Sequence, residues 1–111
     1  MALPAQFYQL KQNHFEALKV QIEKDFVMCG IPTLNDKLNP KDYFETFLNS
    51  IINLHKYDYN TLKNLLYRVD VKEKDIESTS IKYTLNLEES IAVTILNRTL
   101  QKVEFKKKFN I

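Results

Sequence analysis

The chain has 111 residues, of which 44% are apolar and 27% charged, and a formal net charge of +2. That length suits a single domain, and the apolar share excludes a chain too polar to close a core. One cysteine excludes an internal disulfide, and one cysteine with two histidines excludes a Cys/His zinc cluster.

One glycine and three prolines are few for a fold with many tight turns. The pattern predicts an all-α fold, a compact bundle of four to five helices with short connectors, in a single helical domain over 1–111. A first helix is expected from about Ala5 to Met28, with Pro4 near its first turn. Tyr8, Phe15, Leu18, Ile22 and Phe26 form its apolar stripe. Gly30 falls where a helix ends on a left-handed residue, and Pro32 forbids continuation. Cys29 is then in the last turn, where the helix dipole disfavours a thiolate, and reads as structural rather than nucleophilic.

Asn39-Pro40 predicts the next helix start, asparagine capping and proline in the first helical position. Phe44, Phe47, Leu48, Ile51 and Leu54 give this helix its apolar face. A third begins after Asp58, with Tyr59, Leu62, Leu65, Leu66 and Val69 on one side. Asp70-x-x-Glu73 and Asn86-x-x-Glu89 both have the form of a capping box. The first predicts a short helix around Val71 to Ser78. The alternation Ile81, Tyr83, Leu85 predicts an extended connector.

The last helix, Leu87 to about Lys107, is apolar over most of its circumference, with a narrow uncharged strip of Ser90, Thr94, Asn97 and Gln101. A helix of this kind is central to a bundle or sandwiched in an oligomer. On that ground the leading expectation is a small non-enzymatic interaction protein, binding another protein or itself. The homodimer contact would use Ile91, Ile95, Leu96 and Leu100.

The alternative is a nucleic-acid-associated accessory protein. Its basis is the helix end at 98–111, where five basic residues face one acidic residue. Arg98, Lys102 and Lys106 recur every four positions and form one ridge, with Lys107 and Lys108 nearby, for a polyanion or an acidic partner. A helix-turn-helix over Tyr59 to Ser80 is rejected, because Glu73, Asp75 and Glu77 would face phosphates.

The third reading is an enzyme with a small-molecule pocket near His55, where Tyr57 and Tyr59 add a ligand or partner surface. No catalytic constellation is visible. Among the acids, the caps already account for Asp70, Glu73 and Glu89. Neither a cofactor nor a metal is expected, and one glycine cannot build a phosphate-binding loop. The N-terminus MALPAQFYQLKQ does not read as a secretory signal. Apolar runs such as Ile91 to Leu96 are far short of the ~20 residues of a membrane span. A cytoplasmic location follows as the expectation.

Overall fold

Twenty buried apolar side chains meet in one cluster drawn from the N-terminal segment, the loop at Ile31 and four of the five helices. The computed structural model describes residues 3–35 and 37–109. Those residues form a short 3-10 turn, Ala5–Phe7, and five α-helices. They are α1 (Gln12–Met28), α2 (Pro40–Tyr57), α3 (Tyr59–Val69), α4 (Glu73–Tyr83) and α5 (Leu87–Phe109). No strand occurs among the described residues. The radius of gyration is 13.1 Å, close to the ~13 Å of a compact domain of this size. The all-α bundle expected from the sequence is the fold observed.

α5 is the axis, packed against each of the other four helices. Its run Ser90 to Leu96 is buried throughout, as are Thr99 and Val103. Three hydroxyls in this interior would be costly without partners. Each donates within its own helix, Ser90 to the Asn86 carbonyl at 2.6 Å, Thr94 to Ser90 at 2.6 Å and Thr99 to Ile95 at 2.7 Å. These three hydroxyls are therefore satisfied within α5, while Asn97 and Gln101 of the polar strip reach the surface, half-buried and exposed.

Aromatic rings join α1 to α2. Phe15 meets Tyr43 and Phe44 edge-on at 5.8 and 5.6 Å, and Phe26 stacks on Phe47 at 5.8 Å. The connector from α1 to α2 is pinned by Glu23. Its carboxylate accepts from the Tyr43 hydroxyl at 2.8 Å and from the Leu34 N–H at 3.1 Å.

The end signals hold in most places. Gly30 has φ +73°. The Ile31 N–H bonds back to the Phe26 carbonyl at 2.9 Å and the Gly30 N–H to Val27 at 3.1 Å, the paired bonds of a Schellman cap. Asn39 accepts from the Asp42 N–H at 2.8 Å, and Pro40 opens α2. Asn86 and Glu89 exchange both bonds of the capping box, at 2.8 and 3.0 Å.

Three expectations are corrected. α1 begins at Gln12, not Ala5, because Leu3 and Phe7 turn back into the core. Phe7 packs on Phe44 at 5.8 Å, and the Tyr8 hydroxyl accepts from the Leu3 N–H at 3.2 Å. Asp70 does not cap α4. It closes α3 at φ +66°, with the Val71 N–H returning to the Leu66 carbonyl at 2.9 Å. Lys72 is the N-cap of α4, and its N–H donates to Asp75 at 3.2 Å. Ile81 and Tyr83 belong to α4, which runs on to a left-handed Thr84 at φ +54° instead of giving way to an extended connector. α4 has no buried residue, so its helical period is weakly marked in the sequence.

Candidate functional site

The ridge predicted on the last helix exists as an exposed edge of α5. Arg98 and Lys102 are half-buried, and Lys106 is exposed. Arg98 Nη2 lies 3.3 Å from Asp70 Oδ2, and Arg98 Nη1 donates to Gln101 Oε1 at 3.4 Å. Lys106 Nζ donates to Gln21 Oε1 at 3.4 Å. Among the described residues, neither Lys102 nor Lys106 is paired with a carboxylate. Lys107 and Lys108 are exposed. Residues 110 and 111, the end of the basic segment 98–111, lie outside the described residues.

Two depressions border this edge. One, of about 480 Å³, lies between α5 and the start of α4, with Lys72, Lys74, Ser78, Asn97 and Arg98 in its wall. The other, of about 450 Å³, runs along α5 past Gln101, Lys102, Phe105 and Lys106, and its lining is mainly apolar. Arg98 and Gln101 line both. The two depressions together carry five cations, Lys72, Lys74, Arg98, Lys102 and Lys106, against the carboxylates of Asp70 and Asp75.

The residues expected to mediate self-association are elsewhere. Ile91, Ile95 and Leu96 are 4%, 2% and 0% exposed, and Leu100 is half-buried against the core. The helix that carries them packs against the four others of the same chain. That corrects the premise of an open apolar patch, since of this stripe only Leu100 keeps part of its surface outside the core.

His55, Tyr57 and Tyr59 share one corner, where α2 ends and α3 begins. His55 Nδ1 lies 3.3 Å from Glu88 Oε2, and its ring meets Tyr59 edge-on at 5.9 Å. The contact ties the end of α2 to the first turn of α5. Tyr57 is 82% exposed and Tyr59 53%. His55 thus serves as a joint between helices in this geometry. Among the described residues, no group of three metal-ligating side chains is placed to hold an ion. No helix among them is long and apolar enough to cross a membrane.

Cys29 is partly buried, and burial pushes its thiol above the ordinary range. The Arg68 guanidinium opposes that shift and the Asp25 carboxylate adds to it. Such a thiol is poorly ionised and a weak nucleophile. Asp25 itself is buried at 6% exposure and accepts from Arg68 Nε at 2.8 Å and Gln21 Nε2 at 3.2 Å.

Sequence reasoning passed over three participants: Asp70 beside Arg98, Glu88 beside His55, and Phe105 within the ridge. The first two pairs span 28 and 33 positions, so no local pattern reveals them. Phe105 was legible, because at about 100° per residue it falls about 20° from Arg98, on the side away from Lys102 but on the same side of the helix. No protein-family model, curated protein or solved structure matches the chain.

Proposed function

We propose that the protein is a small non-enzymatic binding protein that docks a polyanionic partner on the basic face of α5. The observation that carries this reading is the row Arg98, Lys102 and Lys106 beside two depressions that hold five cations against two carboxylates. Clustered cations attract a polyanion by releasing its condensed counterions, so such binding weakens as salt rises. Self-association through Ile91, Ile95, Leu96 and Leu100 gives way to this reading, because those side chains are spent on the core. His55 lends no support to a catalytic role, being held by Glu88 at the joint of α2 and α5.

Heparin chromatography tests the reading. The protein should be retained at low salt, and changing Arg98, Lys102 and Lys106 together to glutamine should lower the eluting salt concentration. The slope of log affinity against log salt should fall by about one for each phosphate-like contact removed. Absence of retention at low salt, or equal elution of parent and variant, contradicts the proposal.

A further inference from the structure

We infer that the outer face of α1 is a contact between two copies of this chain, packed antiparallel about a two-fold axis at Val20. The contact is independent of the docking reading, because it uses a different helix.

The core takes the side of α1 that carries Phe15, Leu18, Ile22 and Phe26. On the opposite side Val20 is 69% exposed and Val27 62%, and Met28 beside them is 64% exposed. A β-branched residue is a poorer choice in a helix than a straight-chain polar one. Two valines turned to water therefore gain α1 nothing by themselves. They are seven positions apart, which sets them about 20° from each other around the helix. That is the repeat of a seam between paired helices, where valine suits a two-stranded contact.

The charges select the partner. Glu16, Val20 and Lys24 are four positions apart and make one exposed ridge, an acid and a base at equal distances from an apolar centre. Each step of four advances about 6 Å along the axis. Turning the ridge about a two-fold axis at Val20 lays Glu16 of one copy against Lys24 of the other, twice, with Val20 on Val20. A parallel pairing in register would instead set like charges together. Among the described residues Lys24 is in no ion pair. Glu16 is oriented by Lys19 at 3.2 Å and Gln12 at 2.7 Å, yet half of its side chain stays in water. One acid and one base give the ridge no net attraction for a polyanion, whereas a second copy matches it at both ends. Such self-complementarity is what a two-fold contact requires.

The test is sedimentation equilibrium from micromolar to millimolar concentration. One helix pair lies at or below the ~1,200 Å² of a standard interface, so association should be weak. The mass should rise from 13.2 kDa towards twice that value as concentration increases. Lys24→Glu sets two acids against each other at both ends and should weaken association about tenfold. Glu16→Lys should do the same with two bases. Mixing the two variants pairs acid with base again at both ends, so the mixture should associate as the parent does. Glu16 also holds the buried Lys19, so circular dichroism must match the parent for each variant. If Glu16→Lys does not fold, Val20→Lys decides, because it places two cations on the axis and should leave a folded monomer. A parent that stays at 13.2 kDa throughout, variants that associate like the parent, or a mixture of folded variants that stays apart would overturn the inference. Retention on heparin would stand or fall separately in each case.

Discussion

Asp70 closes α3 in the left-handed conformation and from there holds Arg98 of α5, Oδ2 to Nη2 at 3.3 Å. The pair is exposed, 61% at the aspartate and 40% at the arginine, so it adds little to stability. Its consequence is electrostatic. Asp70 competes with any polyanion for the first cation of the ridge. Asn tolerates a left-handed backbone, so Asp70→Asn should keep the fold and release Arg98. Affinity for heparin should rise several-fold, with stability within about 0.5 kcal/mol of the parent. Unchanged or weaker retention would show that Arg98 takes no part in binding.

Arg68 and Asp25 form the buried counterpart, joining α3 to α1 at 2.8 Å. Arg68→Met would leave the Asp25 carboxylate buried with only Gln21 as a hydrogen-bond donor. Breaking a buried pair from one side is strongly destabilising. Because Arg68 is 32% exposed, the expected cost is reduced to about 2 kcal/mol. Urea denaturation measures it. The double change Arg68→Met with Asp25→Leu should recover much of the loss, and a single variant as stable as the parent would refute this account.

Thr84 ends α4 at φ +54°, a region that suits a β-branched residue poorly. Thr84→Asn or Thr84→Gly should relieve backbone strain and raise stability by about 1 kcal/mol. A lower thermal midpoint for both variants would mean that the threonine side chain contributes more than its strain costs.

Gly30 and Cys29 are separable. A Cβ added at Gly30 meets nothing within 4 Å, so the only penalty is the positive φ of +73°. Gly30→Ala should cost about 1 kcal/mol, and Gly30→Asn less. At Cys29, the raised thiol pKa predicts slow alkylation by iodoacetamide at pH 8, with a rate that keeps climbing as pH rises above the ordinary cysteine range. Labelling as fast as that of a small free thiol would contradict the burial argument.

Signals confined to a few consecutive residues were legible in the sequence. Asn39 with Pro40, Asn86 with Glu89, and Gly30 before Pro32 each satisfy backbone groups within one turn, so residue type and spacing suffice. Asp70-x-x-Glu73 misled because aspartate serves equally at the start of a helix and in a left-handed stop. What decides is the return of Val71 to Leu66, a matter of packing. Ile81, Tyr83 and Leu85 imitated an extended connector because α4 buries nothing fully and Ile81 is 77% exposed. The apolar circumference of α5 was legible, but its cover was not: composition alone does not say whether one chain or two will surround a helix. At the candidate site the cations were legible from their four-residue spacing. The α4 groove and Asp70 reach the ridge only through tertiary packing.

The central claim concerns a place, the α5 edge from Arg98 to Lys106, and an amide-resolved NMR titration with a short heparin oligosaccharide tests it most directly. The account predicts shifts concentrated at Arg98, Gln101, Lys102, Phe105 and Lys106, with smaller ones at Lys72 and Lys74, all diminishing as salt is added. Shifts centred on the corner of His55, Tyr57 and Tyr59, or none along α5, would contradict it.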